Sequence, residues 1–185
     1  MERKGHLHRT GRRLAYSGAV LDFYRDRMVL PDGKEEEWDF LSHKKGGGAC
    51  AVPVLPDGRI LLIRQLRPVI DRKTWELPAG ARDHQEDPSV TAARELFEET
   101  GYRAGRITPL LVLKTAPAWC DEETHVYLAE DLTREGDQCL DEAEEIDMAA
   151  FPLPELLARI RSGELQDAKT VAGILMYAQI RGAET

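Results

Sequence analysis

The sequence predicts an α/β sandwich, and three observations predict it. Short strand-like runs punctuated by Pro-Asp-Gly turns recur from Arg12 to Gln65. A helix with legible start and stop signals occupies Pro88 to Thr100. Two further helical stretches, Pro154 to Ser162 and Lys169 to Arg181, follow more strands. Strands interleaved with three helices bury their apolar faces most simply as a mixed sheet covered by helices.

In chain order, the first forty residues read as extended pieces: Arg12 to Tyr16, Val20 to Tyr24 and Arg27 to Leu30. Pro31-Asp32-Gly33 is a hairpin turn leading into a strand through Trp38, Phe40 and Leu41. Lys44 to Gly48 reads as a loop. Ala51 to Leu55, the turn Pro56-Asp57-Gly58, and Arg59 to Gln65 form the next hairpin. Trp75 to Leu77 is a strand, followed by a Gly-rich loop opening at Ala79-Gly80. For the helix, Asp87 can cap the start, Pro88 suits the first turn, and Gly101 ends it. Leu110 to Lys114 and Thr124 to Ala129 are strands, and Pro154 to Ser162 is amphipathic.

At 185 residues the chain is one domain, or one domain with an appendage. Cys50, Cys120 and Cys139 show no C-x-x-C spacing and no even count, which argues against a disulfide framework or zinc ribbon and suits a reducing compartment. No apolar run approaches a membrane span, and the polar N-terminus is a poor signal peptide. A soluble cytoplasmic protein is expected. The net charge of −8 speaks against polymeric nucleic acid as partner, although an acidic protein can bind a polyanion when cations come with it.

The chemistry concentrates between Gly80 and Tyr102. On the predicted helix, Glu95, Glu98 and Glu99 share one face. Like charges so placed repel by roughly 0.2–0.5 kcal/mol per pair, a cost that a hard divalent cation such as Mg²⁺ or Mn²⁺ converts into affinity. Arg94 adjoins the cluster and could hold a carboxylate through a bidentate pair. An isolated E-x-x-E-E is ordinarily a solvated helix face; the preceding strand and glycine loop, which can bring backbone groups beside the carboxylates, change that balance.

The segment resembles the Nudix box, G-x5-E-x7-R-E-U-x-E-E-x-G-U, where U is a bulky apolar residue. Gly80, Glu86, Arg94, Glu95, Leu96, Glu98, Glu99, Gly101 and Tyr102 fill its specified positions, Tyr102 being the least typical. The resemblance implies the Nudix fold: a mixed β-sheet sandwiched between α-helices, with an N-terminal antiparallel β extension. It divides the chain into 1–43, expected to be a dimerisation element, and 44–185, the hydrolase domain. It implies metal ligation by Glu95, Glu99 and the carbonyl of Ala79. Glu98 would be a ligand or support the water, and Glu86 would orient the loop or Arg94. Two or more Mg²⁺ ions would then neutralise a diphosphate, activate a water and stabilise the leaving oxygen.

Within the family, Ile63-Arg64-Gln65-Leu66-Arg67-Pro68 and Trp75-Glu76-Leu77-Pro78-Ala79-Gly80 resemble signatures of the ADP-ribose pyrophosphatase group. That likeness implies that Arg67, otherwise a surface arginine at a strand end, grips a substrate phosphate, and it names Arg64, Ala81 and Pro117 as further substrate contacts. Thr115-Ala116-Pro117 sits where the group carries Ser-Pro, but Ala118 replaces the usual glycine. Asp141 to Glu145, as a bare charge run, is a solvated loop; in the group the corresponding loop supplies the general base, by position Glu142, and a metal contact, Glu144, with Glu145 competing. Trp38 is the candidate to stack on a base, or else a core or interface tryptophan. In the resembling enzymes N-terminal strands exchange between subunits, so a homodimer is expected. His84, His43 and Cys120 have no argued chemical partner, and Cys120 could line the pocket.

The expectation is hydrolysis of ADP-ribose or a close nucleoside diphosphate sugar. GDP-mannose or a UDP-sugar is the nearest rival, since the box handles the diphosphate and not the base. Triphosphate cleansing is less suited to a chain with this N-terminal extension. A non-catalytic nucleotide sensor of the same fold would tend to lack a box glutamate, and here all are present.

Overall fold

The computed structural model describes residues 5–83, 86–140 and 145–183. The chain divides into two compact units, Met1–Gly47 with Lys114–Glu123, and Gly48–Leu113 with Thr124–Thr185.

The first unit is an antiparallel meander of β1 (His8–Ser17), β2 (Leu21–Val29) and β3 (Glu35–His43). The Pro31-Asp32-Gly33 turn closes β2 onto β3, with Gly33 at φ 86° and Leu30 and Lys34 joined by a backbone hydrogen bond. The two pieces expected at Val20–Tyr24 and Arg27–Leu30 are one strand, because the intervening Arg25 and Asp26 pair across the sheet with Asp39 and Trp38. Asp26 is sealed from solvent by side chains of Arg9 and Arg12, which donate to its carboxylate at 2.9–3.1 Å. Burial opposes the charge on Asp26, but these arginines overcome it and hold the carboxyl below its ordinary range. The Lys114–Glu123 segment joins this unit through Leu41, whose N–H donates to the Trp119 carbonyl at 2.7 Å.

The second unit holds β4 (Gly47–Pro53), β5 (Ile60–Arg67), β6 (Arg72–Glu76), β7 (Ala79–Ala81), β8 (Tyr102–Lys114), β9 (Glu123–Arg134) and β10 (Asp147–Phe151). They form two sheets, β7-β4-β9-β8 and β10-β5-β6. The helices are α1 (Pro88–Thr100), α2 (Leu153–Ser162) and α3 (Ala168–Ala183). Both faces of β4 are buried. Ala49 and Ala51 lie in clusters with Ala92 and Leu96 of α1, while Cys50 and Val52 join a core with Leu156 of α2 and Ile174 of α3. The alternation of period two thus sorts one strand between helices on opposite sides, which is the sandwich arrangement.

Two local expectations are corrected. Lys44–Gly48 is not wholly a loop, because β4 begins at Gly47; and the glycine segment at Ala79 is itself a short strand pairing Ala79 with Cys50 and Gly80 with Ala49. Small residues concealed the strand signal in both places, since glycine and alanine carry little β-propensity and the pairing partner decides. Among the described residues no helix is long and apolar enough to cross a membrane.

Candidate active site

The site is built on the junction between β7 and α1. Helix α1 begins as the sequence predicts. Asp87 accepts the Ser89 N–H, Pro88 occupies the first turn, and Gly101 caps the end at φ 73° with its N–H on the Phe97 carbonyl. These caps fix the ends of α1, and its register brings Glu95 and Glu99 against β7.

Each carboxylate has a distinct environment. Glu99 is buried and accepts the Ala79 N–H at 2.8 Å. Glu95 is largely buried beside Gly80, where any Cβ would overlap its carboxylate. Glycine at this position therefore lets loop backbone and carboxylate touch. Glu98 is the most accessible of the three, its side chain 39% exposed. Arg94 sits among them. Its Nη1 donates to Glu95 at 2.7 Å and to Glu98 at 2.9 Å, and its Nη2 reaches the Ala81 carbonyl and Glu86. The arginine spreads over three carboxylates and does not fork onto one, so the expected bidentate pair is replaced by a bridge. Burial works against the charge on Arg94, but Glu95, Glu86 and Glu98 more than offset it and raise its pKa above the ordinary value. Its Nε is buried without an acceptor among the described residues.

Glu86 orders the loop. It accepts from Thr91 Oγ1 at 2.7 Å and more weakly from Arg94 and the Asp83 N–H. The bonds from Thr91 and Arg94 hold its carboxyl below the usual glutamate range. Thr91, buried on α1, is a contributor that sequence reasoning missed; only its spacing from Glu86 hinted at it.

Among the described residues no three His, Cys, Asp or Glu side chains converge as a ready metal cage. Glu95 and Glu98 converge instead on one cationic nitrogen of Arg94. The donor set is still the one a hard divalent cation takes, carboxylate oxygens beside loop backbone. The glycine approach at Gly80 adds a cradle that a Cβ would fill. The residues present fit such an ion.

The remaining predicted residues fall in several places. Glu142, Glu144 and His84 lie outside the described residues, and Glu145 is exposed. Arg67, at the end of β5, donates through Nε and Nη2 to Glu76 at 2.7 and 2.6 Å. Arg64 lies over the Trp75 ring at 5.8 Å. His43 Nδ1 accepts the Gly47 N–H at 3.0 Å. In the first unit, Pro117 and Cys120 line a cavity of about 240 Å³ with Arg12, Phe40, Trp119 and Asp121. Trp38 is not among its lining residues; it bonds Glu36 through Nε1 and rests at 6.3 Å from the Phe40 ring. Phe40 and Trp119 were not singled out from sequence. Alternation along β3 places Phe40 on the Trp38 face, but nothing local brings Trp119 to it.

A capped helix carrying three glutamates against a glycine strand is the catalytic segment of one class, and the chain belongs to it: the NUDIX domain family matches residues 44–172. It is a Nudix pyrophosphohydrolase, a class that generally works with divalent metal ions. The chain is 37% identical over 169 residues to an ADP-ribose pyrophosphatase of Bacillus subtilis (strain 168), covering 91% of this chain and 90% of the relative. It is 32% identical over 170 residues to a GDP-mannose pyrophosphatase of Cronobacter sakazakii (strain ATCC BAA-894), covering 84% and 88%. The crystal structure of an ADP compounds hydrolase shares the fold, with a TM-score of 0.87 at 18% identity, over 100% of this chain and 98% of that one.

Proposed function

We propose that the chain hydrolyses the diphosphate bond of ADP-ribose or a related nucleoside diphosphate sugar, releasing a nucleoside monophosphate and a sugar phosphate. The observation that carries this is the contact of α1 with β7: Glu99 on the Ala79 amide and Glu95 against Gly80. It puts acidic oxygens and loop backbone together where a pyrophosphate needs cations. The similarity to an ADP-ribose pyrophosphatase over most of both chains supports the substrate class.

Glu95, Glu99 and the Ala79 carbonyl, with Glu144 from the acidic run 141–145, would hold Mg²⁺, or Mn²⁺ in its place, and Glu98 assists. The bound ion supplies charge neutralisation of the diphosphate and a more acidic water. Glu142 takes the proton as the water oxygen bonds to one phosphorus and the bridging P–O bond breaks. Arg94 keeps Glu95 and Glu98 gathered. Arg67 grips a phosphate, with Arg64 and Ala81 alongside, and Pro117 and Trp38 serve the base end. Residues 1–43 form a dimerisation element for a homodimer and 44–185 the hydrolase domain. The free thiols of Cys50, Cys120 and Cys139 suit the reducing cytoplasm.

GDP-mannose or a UDP-sugar is a second reading, favoured by the similarity to a GDP-mannose pyrophosphatase. Incubation with ADP-ribose, GDP-mannose and a UDP-sugar in Mg²⁺, scored for nucleoside monophosphate, tests both. AMP from ADP-ribose at the highest kcat/KM is expected. GMP or UMP at a higher kcat/KM moves the substrate to the second reading, and no release from any of the three defeats the proposal.

A further inference from the structure

The strand before the catalytic loop ends in a carboxylate that the hydrolytic chemistry does not use. Glu76, at the end of β6, is 2% exposed. Its two oxygens are shared by three donors: Arg67 through Nε and Nη2, Thr74 through Oγ1, and Lys169 of α3 through Nζ. Lys169 is itself braced by Asp167, which also accepts the Thr170 N–H and hydroxyl at the start of α3. The Thr170 hydroxyl in turn accepts the Leu77 N–H at 2.8 Å. Residues 76 and 77 are therefore tied to α3 by side chain and by backbone, just ahead of Ala79 and Gly80.

The geometry at Arg67 goes beyond a structural ion pair. A guanidinium bonded through Nε and one terminal nitrogen to both oxygens of a carboxylate is held in one plane. Nη1 lies outside that pair, and the Arg67 side chain is 40% exposed. Lys169 is a second buried cation on Glu76 and is itself paired with Asp167, so it fixes the carboxylate from the side opposite Arg67, whose exposed end is left toward solvent.

We propose that Glu76 is a positioning residue for Arg67, holding its guanidinium plane so that Nη1 faces a substrate phosphate, and that Lys169 fixes the Glu76 carboxylate for that task. The idea rests on Arg67 acting as the phosphate grip of the reading above. A flexible arginine must be ordered at binding, and that cost falls on affinity. A prearranged one does not pay it.

The test is a double-mutant cycle on nucleotide-sugar hydrolysis, with each variant's folded fraction fixed by thermal melting and assayed well below its midpoint. Glu76→Gln is expected to raise KM about tenfold with kcat within about threefold. Arg67→Ala is expected to raise KM by a similar factor in the native background and by less than about twofold on top of Glu76→Gln, because the grip is already lost. Binding of ADP by calorimetry in EDTA should weaken in parallel, a readout independent of turnover. Lys169→Arg should preserve KM while Lys169→Met raises it. Independent effects of Glu76→Gln and Arg67→Ala, or a fall in kcat alone, overturn the proposal. Should Glu76→Gln not fold, Arg67→Lys decides: it keeps a charge beside Glu76 without the planar fork and should raise KM as far as Arg67→Ala, and a native KM for it refutes the positioning role. Absence of turnover by the native chain would instead defeat the functional reading on which all of this rests.

Discussion

Glu99 accepts the backbone N–H of Ala79 at 2.8 Å, so a side chain at the end of α1 clamps the strand that opens the catalytic loop. That contact puts the buried carboxylate against the backbone of the segment where a cation is proposed to bind. Structure and proposed chemistry meet in this pair, and it sets the first expectation.

Glu99→Gln keeps an oxygen able to accept the Ala79 N–H but removes the charge. Turnover of ADP-ribose in Mg²⁺ should fall by about three orders of magnitude, the scale of losing transition-state electrostatics in a dry site. The melting midpoint without metal should move by only a few degrees. Activity near the native level would mean the charge of Glu99 is not part of metal binding.

Arg94 bridges Glu86, Glu95 and Glu98, and its loss leaves those carboxylates repelling one another. Arg94→Met should destabilise the metal-free protein by roughly 2 kcal/mol, in the range for removing a charged hydrogen-bond partner. Added Mg²⁺ should then raise the melting midpoint more in the variant than in the native protein, since a ligand of the folded state stabilises by mass action. Equal shifts in the two proteins would separate Arg94 from the ion's site.

Burial alone would push the Glu76 carboxyl up, but Arg67, Lys169 and Thr74 bring it down to about 2 from an ordinary value of 4.5. A carboxyl lowered in the folded state stabilises fully above its unfolded pKa and loses that contribution as pH falls through the folded one. The native protein should therefore exceed Glu76→Gln in denaturant stability by about 3 kcal/mol at neutral pH. The gap should hold down to about pH 4.5 and close toward about pH 2. Urea melts at several pH values measure it, and a gap that widened in acid would contradict the assignment.

Phe40, Pro117 and Trp119 line a cavity of about 240 Å³, large enough for a nucleobase, whereas Trp38 stands outside its lining. Aromatic stacking on a base contributes about 1–3 kcal/mol. If this cavity takes the base, Trp119→Ala should raise KM for ADP-ribose about tenfold or more and Trp38→Ala should change it less. The reverse order in steady-state kinetics would return the base to Trp38, where sequence reasoning placed it.

Glu142 is the base assigned by resemblance. Glu142→Gln should lower kcat by about two or three orders of magnitude, the usual contribution of a positioned base. Mn²⁺ affinity, followed by paramagnetic relaxation of water protons, should change little. Unchanged turnover would move the base to another residue of the acidic run 141–145.

The catalytic helix was legible because its information is local. Asp87, Pro88 and Gly101 mark its ends, and the spacing of Glu95, Glu98 and Glu99 puts them on one face in any α-helix. The class of protein followed from those same residues with Gly80 and Arg94. What stayed hidden depends on partners distant in the chain. The short strand at Ala79 exists because β4 lies beside it. The sharing of Glu76 between Arg67 and Lys169 needs α3 folded back onto β6. The meeting of Trp119 with Leu41 and Phe40 needs a segment far along the chain to return to the first sheet. By itself the sequence determined the helix, its acidic face and the divalent-cation chemistry they imply, since periodicity and capping act over a few residues. Tertiary structure alone decided which charges neutralise one another and which aromatic rings line a cavity, because electrostatic and packing energies depend on distance in space and take no account of separation along the chain.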